Sequence, residues 1–276
     1  MGIHLKRRAA QLRAKLHLRL GLPGEAVALL DYDRRLIKLG VSSAMEYHTR
    51  LHSCKKEPET VTWIEQEFMP GDVFYDIGAN VGAYSLVAAA FWGPRLRIVA
   101  IEPSAVNFAR LLHNLTLNGC AEQVTALPIA LAQTTGIQPF HYSNLDPGGS
   151  LHALGQPLDF QGEPFRPIAS CPTLAFDLDT LVQQFHLPSP THLKLDVDGS
   201  ELTILRGAER TLRTVRSLLV ELDEHHPQSA EALDFLKGRG FHGATHYPYR
   251  YGNSHPEFKG IENVLFRRED NHDQHS

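Results

Sequence analysis

Residues Val73 to Ser85 read VFYDIGANVGAYS, an apolar run that ends in an acid, passes through a turn of small residues and enters a helical pattern at Ala83. A strand that feeds a glycine-containing turn and then a helix is the opening unit of an α/β fold that holds a nucleotide. Two classes of cofactor use such a turn. A dinucleotide needs G-x-G-x-x-G, whose middle glycine lets the backbone approach a pyrophosphate. Counting from Gly78, the chain has Asn80 at the second glycine position and Ala83 at the third. That mismatch speaks against a nicotinamide oxidoreductase.

What remains is Asp76 followed by Gly78 and Gly82, a turn suited to a nucleoside ligand without phosphate at that point. S-adenosylmethionine is such a ligand. Its amino-acid end carries an ammonium that Asp76 can help hold, while the glycine backbone lies close to the nucleoside. Glu102 ends the next apolar run, RIVAIE, and a carboxylate at a second strand tip can accept both ribose hydroxyls. Beside Pro103, the same acid also fits a helix start.

Outward from this unit, short apolar runs alternate with helical periodicity: Val73–Tyr75 and a helix from Ala83, Arg97–Ile101 and Ser104–Leu117, Val124–Leu127, His192–Leu195 and Ser200–Arg213, Ser217–Leu222 and Ala230–Lys237. The alternation predicts a mostly parallel sheet covered on both faces. Ala105, Ala109, Leu112 and Leu115 share one helical face, as do Leu202, Leu205, Ala208 and Leu212. Gly240–Tyr247 and Glu262–Arg268 read as an antiparallel hairpin at one sheet edge. Ser143–Thr173, dense in Gly and Pro, reads as a long loop lying over a site.

Residues 1–60 read as a helical N-terminal extension, broken at Gly21–Glu25 and resuming through Leu39. Its first twenty residues carry six Lys or Arg and no acid, with Leu5, Ala9, Leu12 and Leu16 on one stripe. Such a helix either packs on the main domain or touches an anionic membrane surface. Residues 61–268 form the main domain, and the polar stretch 269–276 is expected to be a disordered tail.

The acceptor side is read from THLKLDVDGSE. Asp196 ends an apolar strand, Asp198 starts the turn and Glu201 falls in the first turn of the next helix. Ligands of open α/β sheets bind beyond the carboxyl ends of strands, so Asp196 is expected to face the reacting group. Asp198 beside Gly199 also fits turn chemistry, and Glu201 also complements a helix dipole. The next strand ends LLVELDEHHP, where His225 is a candidate general base and Glu221, Asp223 and His226 share the edge. Asp196, Asp198 and Asp223 could hold a divalent cation, although no ligand spacing indicates one.

FYDIGANVGAYS, IEPSAVNFARLLHNLTLNG, LKLDVDGSELTILRGAERTL and IENVLFRR together resemble the FkbM family of S-adenosylmethionine-dependent methyltransferases, from about Thr62 to Arg268. The resemblance implies a Rossmann-like class I methyltransferase sheet. It places Asp76, Gly78, Asn80 and Gly82 in the cofactor loop, Glu102 at the ribose and Asn107 on the adenosine side. The family pattern often carries Glu where Asp198 stands. An oxygen acceptor, a hydroxyl of a sugar, glycan or secondary metabolite, is what the family implies. The other reading is a catalytically inactive cofactor-binding module of the same fold.

Bulk properties set the frame. The 276 residues are 42% hydrophobic and 21% charged, an ordinary globular composition. A formal net charge of −4 supplies no general basic field for nucleic acid. Cys54, Cys120 and Cys171 are odd in number and lack metal-ligand spacing, which points to a reducing, cytoplasmic setting. No apolar run has the length of a membrane span.

Overall fold

The computed structural model describes residues 2–224, 226–249 and 259–268. The chain opens with α1 (Ile3–Arg19), followed by β1 (Ala26–Leu29) and β2 (Lys38–Val41), an antiparallel pair. Three short helices lead to the main sheet: α2 (Ala44–His48), α3 (Ser53–Lys56) and α4 (Pro58–Gln66). A hairpin thus stands where the sequence suggested a second helical stretch. The buried residues explain the difference. Residues 28–32 and 39–41 are buried without interruption, and short buried apolar runs do not distinguish a strand from a helix by periodicity. The first helix docks through buried Arg7 and Ala14, not through its leucine stripe. Arg7 Nε donates to Leu30 O at 3.0 Å and its Nη1 reaches Asp33 at 2.8 Å, while Leu5, Leu12 and Leu16 stay exposed.

The main sheet is built from β3 (Val73–Ile77), β4 (Arg97–Ile101) and β5 (Val124–Leu127), separated by α5 (Ala83–Trp92) and α6 (Ala105–Leu117). After an insertion come α7 (Leu178–Gln184), four strands and two helices. The insertion's own strands are β6 (Ala130–Leu131), β7 (Gly136–Tyr142), β8 (Ala153–Leu154) and β9 (Ala169–Phe176). The later elements are β10 (His192–Leu195), α8 (Glu201–Arg206), β11 (Ser217–Asp223), α9 (Pro227–Lys237), β12 (Phe241–Pro248) and β13 (Ile261–Arg268). The sheet order is β12-β13-β11-β10-β3-β4-β5. Every pair from β11 to β5 is parallel, and β13 runs antiparallel to both β11 and β12. One reversed strand therefore sits inside an otherwise parallel sheet, as the expected edge hairpin requires.

The insertion forms a second sheet, β6-β9-β7-β8. The segment expected to be a structureless loop, Ser143–Thr173, therefore contributes β8 and the start of β9. The helix expected over Ser200–Arg213 ends at Arg206, with Gly207 as its C-cap, and a separate 3-10 turn follows at Thr211–Thr214. Its face holds: Leu202, Leu205, Ala208 and Leu212 are all buried. The face of α6 is rotated from the expected one. Asn107, Leu111, Asn114 and Leu115 point inward and Leu112 is exposed. Asn114 earns its burial by accepting from Gly40 N at 2.9 Å and donating to Val81 O at 2.9 Å, which ties the N-terminal hairpin to the glycine turn.

Strand alternation splits the apolar residues between the two faces of the sheet. Phe74, Ile98 and Ala100 join the N-terminal segment, α5 and α6 in one core, whereas Val73, Tyr75, Val99, Leu193 and Leu195 join α7, α8 and α9 in the other. No helix among the described residues is long and apolar enough to cross a membrane. The cysteines are unpaired.

His192 lies on the first face, stacked on Phe68 at 4.0 Å between ring centres. Its Nδ1 meets Ser217 Oγ at 2.7 Å and its Nε2 meets Asp72 at 2.9 Å, with Arg216 on the same carboxylate. Burial pushes the imidazole down to about 4 from an ordinary 6.5. The unfolded chain binds this proton more readily, so the stability is present above the unfolded value and is lost as the pH falls toward the folded one. His192→Gln removes that component. The wild-type advantage in unfolding free energy over the variant is expected to shrink between about pH 7.5 and about pH 4.5, read by denaturant titration at each pH. A constant gap means that the ring does not titrate there.

Candidate active site

The carboxyl ends of β3, β4, β10 and β11 open into one cavity of about 740 Å³. Strand tips supply Gly78, Glu102, Asp196 and Glu221 to its floor. A wall comes from the N-terminal segment through Arg50, His52 and Lys56, and a roof from the insertion through Gly149–His152 and Phe160.

At the turn after β3 the backbones of two strand ends meet. Gly78 has φ +78°, and a Cβ there would lie 1.8 Å from the Asp196 carbonyl oxygen. The amides of Gly78 and Ala79 both donate to Ile101 O at 3.0 Å. Gly82 is the left-handed N-cap of α5. Asn80 donates its amide to Glu102 Oε2 at 2.8 Å and its Nδ2 to Gly149 O at 2.8 Å. The Asn80 Oδ1 atom is buried without a hydrogen-bond partner among the described residues.

Glu102 Oε1 accepts from Ser104 N at 2.8 Å, and burial pushes the carboxyl up to about 7. Asn107 clasps the roof: its Nδ2 donates to Gly149 O at 2.9 Å and its Oδ1 accepts from Gly148 N at 2.9 Å. The roof is also held by Arg50 Nε on Gly148 O at 2.8 Å and by Leu151 N on Asp198 Oδ2 at 2.7 Å. This stretch of the insertion is thus bonded to residues expected on the cofactor side as well as to Asp198.

Asp76 stands apart from the other glycine-turn residues. Its side chain does not line the cavity. It is 1% exposed and turned toward α5, where Oδ2 accepts from Ser85 N at 3.0 Å and Ser85 Oγ at 2.6 Å. Burial raises its pKa against the pull of Lys194.

Asp196 accepts from Lys194 Nζ at 2.6 Å. Burial opposes its charge, yet Lys194 and then Lys56 hold the carboxyl below its usual value. Asp198, at φ +56°, is pushed up to about 6 by burial and by Asp196. Glu201 braces the turn, accepting from Val197 N at 3.3 Å and Gly199 N at 3.2 Å, and burial lifts it to about 7. Burial and then Asp196 push Glu221 well above the ordinary carboxylate range. His225 lies outside the described residues, as does the tail 269–276. His226 lines the cavity and accepts from Gln228 N through Nδ1 at 3.2 Å.

The carboxylates that converge are not the trio read from the sequence. Oxygens of Asp196, Glu221 and Glu57 lie within 4.8 Å of one another. Lys56 sits on Glu57 at 2.9 Å and Lys194 on Asp196, so two ammonium groups already offset two of the three acids. Sequence reasoning missed Arg50, Lys56, Glu57, Lys194 and His152. The alternation in HLKL, which puts Lys194 opposite Leu193 and Leu195, was the available signal for one of them.

The sheet order with its single reversed strand and the crevice at the strand tips define a Rossmann-like methyltransferase fold. The Methyltransferase FkbM domain model matches residues 76–242, and the chain belongs to that family. The hexuronic acid methyltransferase AglP of Haloferax volcanii is 24% identical over 173 residues, which cover 63% of this chain and 65% of that one. The 31-O-demethyl-FK506 methyltransferase FkbM of Streptomyces tacrolimicus is 26% identical over 194 residues, covering 63% and 74%. Among solved structures, the METTL16 methyltransferase domain superposes with a TM-score of 0.50 at 12% identity, covering 96% of this chain and 81% of that one, a likeness of fold.

The contact between the β3 and β10 tips gives a test. Gly71 also has positive φ, at +94°, but has nothing within 4 Å of a built Cβ. Gly71→Ala is expected to cost the backbone strain of about 1–2 kcal/mol. Gly78→Ala should exceed it by roughly 2 kcal/mol or more, since the new methyl meets a backbone oxygen. Equal losses in thermal or denaturant unfolding would show that the two strand ends are not in contact.

Proposed function

We propose that the chain is an S-adenosylmethionine-dependent O-methyltransferase acting on a hydroxyl of a sugar, glycan or secondary metabolite. The observation that carries this reading is Asp196, an ionised carboxylate on the cavity floor whose backbone touches the glycine turn. The residues present fit the cofactor. The lining is rich in acids, which suits a ligand bearing a sulfonium and an ammonium. Asn80 Oδ1 is a buried acceptor without a donor among the described residues, and Glu102 stands at the tip of β4 where a ribose is expected. Asp76 acts in this reading through α5, fixing the helix start beside the turn.

When bound, the cofactor supplies a methyl group on a positively charged sulfur. The chain's own task is to align an acceptor oxygen and remove its proton. Lys194 occupies Asp196 Oδ2, so Oδ1 is the atom available to the acceptor proton. Glu221, whose carboxyl burial and then Asp196 push upward, stands on the neighbouring strand, where its protonated form can orient the acceptor oxygen. The bond between Leu151 and Asp198 draws the roof over the crevice and limits water. Acceptor class is supported by the relatives named above, one a hexuronic acid methyltransferase and one a 31-O-demethyl-FK506 methyltransferase. The unpaired cysteines support a reducing compartment such as the cytoplasm.

Two measurements test the reading. Glu102→Ala should weaken S-adenosylhomocysteine binding by about 1.5–3 kcal/mol in calorimetric titration, the scale of hydrogen bonds to a charged group. Unchanged affinity in a folded variant would remove Glu102 from the site. Asp196→Asn should cut methyl transfer by at least about 100-fold, in a screen of hydroxylated sugars and metabolites with methyl-labelled cofactor, while S-adenosylhomocysteine affinity stays close to wild type. Near-normal turnover would exclude Asp196 as the base.

A further inference from the structure

The cavity holds far more acid than base. Glu102, Asp196, Asp198, Glu201 and Glu221 line it, and a ligand carboxylate placed among them needs a cation. Lys56 is taken by Glu57, and Lys194 is taken by Asp196. Burial lowers the pKa of His52 and pushes His152 down to about 4, so neither ring supplies a charge near neutral pH. Arg50 is different. Its Nε donates to Gly148 O at 2.8 Å, and its Nη1 and Nη2 make no hydrogen bond or ion pair with any described residue.

Its place in the fold narrows what it can bind. Arg50 lines the cavity from the link between α2 and α3. Its charge is felt by Glu102 at the end of β4 and by Asp196 and Asp198 after β10. Those two strands flank β3 in the sheet order, and Arg50 lines the same cavity as Gly78 at the start of the glycine turn. Through Gly148, which Asn107 also holds, the guanidinium is fixed in orientation before any ligand arrives.

On the reading of the site given above, we infer that Arg50 binds the carboxylate at the amino-acid end of S-adenosylmethionine. The open Nη1 and Nη2 edge matches a planar carboxylate, with two parallel N–H donors. Gly148 O holds the remaining donor, so the fork needs little ordering on binding. A residue outside the matched span 76–242 thereby completes the cofactor pocket.

Two nucleosides separate this assignment from its rivals. S-adenosylhomocysteine carries the amino-acid end, and methylthioadenosine has the same nucleoside and sulfur without it. In calorimetric titrations of the full chain, Arg50→Gln is expected to weaken S-adenosylhomocysteine by roughly ten- to a hundredfold and leave methylthioadenosine within about twofold of wild type. Arg50→Lys should recover part of the loss. Equal losses for both nucleosides would overturn the assignment, with Arg50 acting through the roof instead. Unchanged S-adenosylhomocysteine affinity together with a raised acceptor KM would overturn it in favour of an acidic acceptor. Wild-type protein that binds neither nucleoside would overturn the cofactor reading and this assignment with it.

Discussion

An ammonium with 1% exposure, that of Lys194, sits inside the sheet face between β3 and β11, and its charge has to be met from several directions. Burial opposes the charge, but Asp196, Glu57 and Asp76 together more than offset it and raise the lysine's pKa. The ring of Tyr84 adds its face at 5.1 Å. These partners come from the end of β10, from the N-terminal segment, from β3 and from α5. One desolvated cation therefore fixes how four parts of the chain meet, because removing one partner of a buried pair leaves an uncompensated charge, at about 3–5 kcal/mol.

The same cation shapes the chemistry. Asp196, Asp198, Glu201 and Glu221 are crowded at two adjacent strand ends, where mutual repulsion and burial favour proton uptake. Lys194 and Lys56 keep the charge on Asp196 while its neighbours are driven upward. Carboxyls pushed apart in this way can take different roles, one accepting a proton and another donating a hydrogen bond. The buried lysine thus selects which acid is ionised.

Much of this was legible in the sequence where local pattern and tertiary placement agree. The parallel strands, the glycine turn, the terminal hairpin and the cavity positions of Gly78, Glu102, Asp196 and Asp198 followed from apolar runs ending in polar residues, and those of Asn80 and Asn107 from the family resemblance. It failed where partners distant in sequence decide the outcome. Residues 25–39 contain enough Ala, Leu and Arg to suit a helix, yet they pair as strands because Asn114 of α6 and its C-cap Asn118 hold β2 by its backbone. Asp76 looked like a ligand-facing acid, and its inward turn depends on Ser85, whose role is visible only once α5 is placed. The N-terminal segment carried no recognisable motif, so its basic residues could not be assigned to a wall of the cavity.

That wall has a consequence for how such enzymes diversify. The strands and their tips form a scaffold whose geometry is locked by backbone contacts such as that between Gly78 and Asp196. Met45, His48, Thr49, His52 and Lys56 belong to a short appended stretch that precedes the first main-sheet strand. Its α4 junction is closed by Asn263 of β13 bonding Glu59 at 3.0 Å and by Trp63 bonding Ser217 at 2.7 Å. Exchanging Met45, His48, Thr49 or His52 would alter the chamber without touching the Lys56–Glu57 pair that supports Lys194. The wall of the chamber is thereby open to change at positions that lie outside the matched span 76–242.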